Sequence, residues 1–232
     1  MRFDVLTLFP DMFPGYLSQS ILNKSIERGL VEIHVHNMRD WATGRHKKID
    51  DTPYGGGPGM VLMVEPVVNC VRDVQQMAPE PGTVIMMTPQ GKRLQQPLVE
   101  ELAVTPRMIL LCGRYEGFDQ RVIDILKPVE LSIGDYILNG GEVASMVLVD
   151  SLVRMVPGVL GDEKRNWDDS FSRGNRMLEY PQYTRPRDFE GHNVPDVLLG
   201  GNHPAIEEWR DQKSIENTKL KRSDLLDNDN DI

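Results

Sequence analysis

Long apolar runs are missing from this chain of 232 residues. No stretch approaches the roughly 20 residues a bilayer-spanning helix needs, which excludes a membrane-crossing helix and any membrane partner of that kind. The beginning, Met1-Arg-Phe-Asp-Val-Leu-Thr-Leu-Phe9, has an acid inside its apolar run and not the layout of a signal peptide, so a cytoplasmic protein is expected. Cysteine is scarce: Cys70 and Cys112 lack metal-ligand spacing and read as buried, reduced thiols. His46 has no second histidine at a metal-ligand distance along the chain. Neither the dinucleotide fingerprint G-x-G-x-x-G nor the P-loop G-x-x-x-x-G-K-[ST] occurs. Positive charge is short as well. A net charge of −9 at pH 7 argues against a nucleic-acid partner, because phosphate binding rests on Lys and Arg. The basic residues that do occur gather locally, at Arg45 to Lys48, Lys164-Arg165, Arg173 to Arg187 and Lys219 to Arg222, where solvated surface charge is the plain reading.

What remains is an ordinary globular composition, 40% hydrophobic and 26% charged, long enough for one large domain or two modest ones. Apolar periodicity predicts strands at 2–8, 31–36, 83–88, 108–112 and 129–133. It predicts helices at 18–28, 65–77, 96–103, 118–126 and 143–155, with Ser18 or Ser20 as N-cap of the first and Gly29 just past its end. Alternation of this kind points to an α/β fold with a parallel sheet. The pattern stops at Pro157. Beyond it lie an aperiodic polar stretch, the proline-rich Tyr180 to Pro186, one helix from Pro204 to about Lys219 with a sparse apolar face at Ile206, Trp209 and Ile215, and a frayed acidic end. Residues 177–232 are few for a core of their own and would gain from packing on another surface.

Three strand ends run into Gly or Pro loops: Val84 to Gly91, Met108 to Gly117, and Ser132-Ile-Gly-Asp-Tyr-Ile-Leu-Asn-Gly-Gly-Glu142, which has three glycines and two carboxylates ahead of a helix. If these strands lie side by side and parallel, the three loops meet at one sheet edge, where α/β proteins bind ligands. A fourth candidate is the long loop at 40–61, which combines cations, Asp50-Asp51, Trp41, Tyr54 and the turn Gly55-Gly-Gly-Pro-Gly59. Loops of that length inside a compact domain are usually functional or disordered, and aromatic residues argue against disorder.

Seven segments carry a resemblance: Pro53 to Met60, Leu111 to Gly117, Ser132 to Glu142, Pro157 to Gly161, Asp169-Ser-Phe171, Tyr183-Thr-Arg-Pro186 and Gly201-Asn-His203. Together, in order and from Phe3 to about Leu226, they resemble the bacterial tRNA (guanine-N1)-methyltransferases, the TrmD family of the SPOUT superfamily. The resemblance implies an α/β SPOUT fold with a mostly parallel sheet and a C-terminal trefoil knot, plus a small, mainly helical C-terminal domain. The knot is something periodicity does not show and the usual absence of knots would have denied. It implies a catalytic domain at 1–160, a flexible linker at 161–176 and a tRNA-binding domain at 177–232, working as a homodimer with active sites at the subunit interface. The methyl donor S-adenosylmethionine is expected among Met86, Met87, Thr88, Pro89, Gln90, Gly113, Arg114, Tyr115, Glu116, Ile133, Gly134, Asp135, Tyr136, Ile137, Leu138, Gly140 and Gly141. The acceptor is expected to be N1 of guanosine 37 in tRNA, preceded by guanosine 36, and the methyl to support reading-frame maintenance. Mg2+ is expected as an accessory.

By the same resemblance Asp169 is the general base and Arg154 meets charge on guanine O6, while Ser170, His46 and Asp50 match positions linked to tRNA contact or activity. Read from the residues alone, Asp169 in Trp167-Asp-Asp-Ser-Phe171 is a helix or turn cap before it is a base, with Asp168 one position away, and Arg154 is a surface salt bridge, the commoner fate of a helix-end arginine. Glu116 and Asp135 could face the donor's positive charge or magnesium, or cap loops. Tyr115 and Tyr136 could stack on adenine, though core filling is the safer expectation. The helix at 204–217 carries acids where many members have arginines, leaving Lys219, Lys221 and Arg222 as the likeliest phosphate contacts.

Overall fold

Val84-Ile-Met-Met87 and Met108-Ile-Leu-Leu111 are apolar on both alternating faces, the pattern of strands covered by helices on both sides. The structure, a computed structural model, describes residues 1–160, 169–172 and 176–226. Most of the expected linker, the basic Lys164-Arg165 and Arg173, Asp168 and the acidic end from 227 lie outside the described residues.

The chain divides into two compact units, Met1–Gly161 and Asp162–Ile232. In the first, β1 (Arg2–Thr7), β2 (Glu32–Asn37), β5 (Thr83–Arg93), β6 (Arg107–Cys112) and β7 (Val129–Ser132) form one sheet in the order β2-β1-β6-β5-β7, every pair parallel. Side-chain alternation splits the core in two. Phe3, Val5, Ile85, Met108 and Leu110 pack against α2 (Ser20–Glu27), α4 (Gln96–Leu102) and α6 (Gly141–Val153) on one face. Leu6, Met86, Ile109 and Leu111 pack against α3 (Val64–Gln75) and α5 (Gln120–Leu126) on the other. Cys70 and Cys112 are buried free thiols whose pKa burial pushes up, as their apolar surroundings led one to expect.

Several boundaries differ from the sequence expectation, each for a local reason. Strand β5 continues to Arg93, because a bulge between Met87 and Lys92 lets Thr88-Pro89-Gln90 swing out and the chain then re-pair with Leu131 and Ser132. Gly91 permits this: a Cβ there would stand 2.4 Å from the Leu131 nitrogen. Gly91→Ala is expected to cost about 1–3 kcal/mol of stability through backbone displacement, read as a lowered urea midpoint. Neither Ser18 nor Ser20 caps α2. The residue before it, Gln19, makes no side-chain cap, Ser20 is itself the first helical residue, and the Ser18 hydroxyl donates to the Gly15 carbonyl of the preceding short helix α1 (Pro14–Leu17). The helix expected at 118–126 begins instead at Gln120, with Asp119 accepting from the Arg121 N–H. The loop at 40–61 contains half of a small antiparallel pair, β3 (Asp50–Asp51) with β4 (Val61–Leu62).

At the N-terminal edge of the sheet lies a buried ionic cluster. Arg107 Nε donates to Asp4 Oδ2 at 2.9 Å, and its terminal nitrogens donate to the carbonyls of Val74 at 2.6 Å and Glu80 at 2.8 Å, the first in the last turn of α3. Arg2 donates to both oxygens of Asp4, and His36 Nε2 sits 3.0 Å from Oδ1. Burial pushes the Asp4 carboxyl up, but its hydrogen bonds with His36, Arg2 and Arg107 outweigh this and hold it well below the usual carboxylate range.

The second unit is built on α7 (His203–Lys221) and a small hairpin, β8 (Asp188–Phe189) with β9 (His192–Asn193). The apolar face expected on α7 holds only in its first half: Ile206 and Trp209 are half-buried, but Ile215 is exposed and the buried positions further on are Ser214 and Thr218. Those hydroxyls stitch the segment around Leu178 to the helix, Thr218 Oγ1 accepting the Leu178 N–H at 3.0 Å and Ser214 Oγ donating to the Leu178 carbonyl. Arg210 lies over the Tyr180 ring and Tyr183 against Trp209, so aromatic and cationic groups share one side of this unit.

Candidate active site

Because β5, β6 and β7 are adjacent and parallel, their C-terminal ends open at the same edge. The bulge in β5 and the loops that follow β6 and β7 enclose a cleft of about 440 Å³, within the range of small-molecule sites. Its walls are the segments Met86–Gln90, Gly113–Phe118 and Leu131–Gly134 with Tyr136–Gly141, together with Gln120, Ile123 and Ala144. The structure thus brings together all the residues expected around a donor except Asp135. That carboxylate turns outward, 88% exposed and 3.7 Å from Arg93, so it is not positioned to face a ligand in the cleft. Tyr115 and Tyr136 line the cleft and are about half exposed, at 50% and 54%, which overturns the expectation that they fill core.

Backbone proximity shapes the cleft floor. Gly141 N–H donates to the Gly113 carbonyl at 2.8 Å, and a Cβ on Gly141 would lie 2.8 Å from the Cys112 Cα, so only glycine lets α6 begin against the end of β6. The long loop closes on the same place. Glu116 N–H donates to the Met60 carbonyl and Leu62 N–H to the Gly117 carbonyl, while a Cβ on Gly59 would collide with the Glu116 side chain. Glu116 is exposed at the cleft wall; Tyr54, in the same loop, is fully exposed, and His46 is exposed beyond it. Asp50 is half-buried in β3, paired with Leu62.

Two residues without an assigned role complete the arrangement. Glu142, in the first turn of α6, is wholly buried; its Oε1 accepts the Thr7 hydroxyl at 2.7 Å and its Oε2 lies 2.8 Å from Arg114 Nε. Glu142 was visible in the sequence as one of the loop's two carboxylates, but Thr7, 135 residues earlier, carried no signal at all.

Arg154 ends α6 as its C-cap and is exposed, on the same stripe as Val143, Val147 and Asp150. Asp169, in the second unit, heads a turn in which its carbonyl accepts the Ser172 N–H at 3.1 Å. Ser170 Oγ accepts the Glu179 N–H at 3.0 Å and Phe171 N–H donates to the Met177 carbonyl. Among the described residues no group of three or more His, Cys, Asp or Glu side chains is arranged to hold a metal ion, so a protein-built magnesium cage does not fit these residues. No helix among them is long and apolar enough to cross a membrane.

Comparison with known proteins agrees with this geometry in kind. Residues 1–228 match the family described as tRNA (Guanine-1)-methyltransferase TrmD. A tRNA (guanine-N(1)-)-methyltransferase of Rhodopirellula baltica is 65% identical over 227 residues, covering 97% of this chain and 94% of its own. Proteins of the same name from Geobacillus kaustophilus and Geobacter sulfurreducens are 54% and 51% identical, covering 98% and 97% of this chain and 92% and 91% of theirs. The acidic net charge was therefore a poor guide, since whole-chain charge says little about a local surface. With the family matched from end to end and relatives of the same name more than half identical over nearly the whole chain, the chain belongs to the TrmD family of tRNA (guanine-1)-methyltransferases.

Proposed function

We propose that this enzyme transfers the methyl group of S-adenosylmethionine to N1 of guanosine 37 in tRNA, next to guanosine 36, and that it does so as a homodimer. The observation that carries the donor assignment is the cleft where three strand-end loops converge, read with the family match. Its chemistry suits the donor: Met86, Leu131, Ile137 and Leu138 offer apolar walls for an adenine, backbone groups lie open at the glycines, and Glu116 brings a carboxylate. Bound there, S-adenosylmethionine supplies an electrophilic methyl on a sulfonium. The loops contribute alignment, holding donor and acceptor in line so that an encounter becomes a positioned reaction. We read the three loops as those of a trefoil knot.

Guanine N1 bears a proton and becomes a nucleophile as that proton leaves. Asp169 takes it in this reading, with the linker bringing the carboxylate to the partner subunit's cleft. An ordinary aspartate, pKa about 3.9, is a weak base for this purpose, so charge gathering on O6 has to be met as well, and Arg154 is the cation assigned to it. The case for the dimer rests on α6, which is apolar nearly all round yet leaves Val143 and Val147 exposed on the stripe that leads to Arg154. Helices of that kind are normally covered. In the second unit, Lys219, Lys221 and Arg222 at the end of α7 and the Arg210–Tyr180 and Tyr183–Trp209 pairs suit phosphate and base contact.

Labelled methyl transfer to two tRNA transcripts differing only at position 37 tests the assignment. Incorporation is expected with guanosine and background with adenosine; equal incorporation into both would place the reaction elsewhere on the RNA.

A further inference from the structure

A network of polar contacts runs from the cleft wall at Arg114 to the buried Glu142 and Thr7. Glu142 accepts from Thr7 Oγ1 at 2.7 Å on one oxygen and pairs with Arg114 Nε at 2.8 Å on the other. The Arg114 N–H is not aimed squarely at that oxygen, so the second contact is an ion pair rather than a hydrogen bond. Thr7 is committed twice, donating to Glu142 and accepting the Phe9 N–H at 2.9 Å, which fixes the direction of its hydroxyl proton. Arg114 in turn donates to the Asn139 carbonyl at 3.2 Å and lies over the Phe9 ring, 4.5 Å from its centroid. One guanidinium therefore joins the loop after β6 to the loop before α6, two walls of the cleft. Gly140 leaves the room it needs, since a Cβ there would stand 2.3 Å from Arg114 Nε.

We propose that Glu142 is a positioning residue for the donor cleft: held by Thr7, it fixes Arg114 so that the segments 113–117 and 139–142 keep the spacing the donor requires. The proposal rests on the reading of this cleft as the donor site. Glu142 answers Thr7 with an acceptor and Arg114 with charge; a glutamine keeps one acceptor and no charge, so Glu142→Gln loses the ion pair with Arg114 even where its carbonyl still accepts from Thr7. A carboxylate in the first turn of α6 also favours the helix dipole. Thr7→Val separates the two roles, because it leaves that charge in place and removes only the hydroxyl.

The test is calorimetric titration of the full-length protein with S-adenosylmethionine, alongside steady-state kinetics and thermal melting. Glu142→Gln and Thr7→Val are each expected to weaken donor binding about tenfold, and the double variant to lose less than the sum of the two, as members of one network do. Thr7→Ser should bind like the parent, and KM for tRNA at saturating donor should not move. Parent-like donor affinity in folded Glu142→Gln and Thr7→Val, with or without a lowered melting temperature, would reduce the brace to a fold element and overturn the proposal. If Glu142→Gln does not fold, Thr7→Val against Thr7→Ser decides it by the same criterion. A parent protein that binds no S-adenosylmethionine would overturn the donor reading and the brace with it, whereas binding by the parent that neither variant alters would overturn the brace alone.

Discussion

Asp169→Asn is expected to lower single-turnover methyl transfer to guanosine-37 tRNA by about 10²–10⁴-fold, the range a positioned general base contributes. S-adenosylmethionine affinity should stay at the parent value. Asparagine keeps the size of aspartate and serves turns equally well, so the substitution separates proton transfer from the turn-capping role the residue type would otherwise suggest. The turn is held by the Asp169 carbonyl accepting from Ser172, by Ser170 Oγ accepting from Glu179 and by Phe171 pairing with Met177, none of which Asp169→Asn removes. Near-normal turnover would leave Asp169 as a turn residue and make Glu116, the carboxylate that lines the cleft, the next candidate base.

Arg107→Met should produce the largest loss of stability among single substitutions in the first unit, about 3–5 kcal/mol, the cost of removing one partner of a buried ion pair. Arg107 is 1% exposed and Asp4 0%, so the carboxylate left behind would stay out of solvent with only Arg2 and His36 as its remaining partners. The carbonyls of Val74 and Glu80 would lose their donor as well. Urea unfolding measures this directly. The same cluster predicts a pH dependence whose sign follows from Asp4. Its folded pKa is depressed below the unfolded value, so its contribution is present above about pH 4 and is lost as pH falls further. Arg107→Met should flatten that acid limb. An Arg107→Met protein as stable as the parent at neutral pH would show that the cluster contributes nothing net.

Much of the first unit could be read from apolar spacing, because buried parallel strands and their covering helices have periods that a single chain displays. That is why five strands and most helices fall within a few residues of expectation, and why the three cleft loops were recognisable as strand ends rich in Gly and Pro. The misreadings share one cause. The bulge that extends β5 to Arg93 depends on re-pairing with Leu131 and Ser132, the outward turn of Asp135 on where its loop lies, and the exposure of Tyr115 and Tyr136 on the cleft being open. In the second half of α7 the expected Ile215 gave way to Ser214 and Thr218, whose hydroxyls serve a backbone segment some 36 to 40 residues earlier in the chain. Local pattern does not encode such partners.

Residue order alone was enough to specify an α/β chain with ligand loops at strand ends, and its long motifs were specific enough to indicate the family that comparison then showed. Both depend on properties that survive in one dimension: periodicity, and the side-chain freedom of glycine and proline. Strand order is a different matter. The arrangement β2-β1-β6-β5-β7 sets the three loops edge to edge, and folding carries Thr7 to Glu142 and Glu142 to Arg114. Those contacts span up to 135 positions of sequence, and their energies come from burial and short distance, which arise only once the sheet has closed around them.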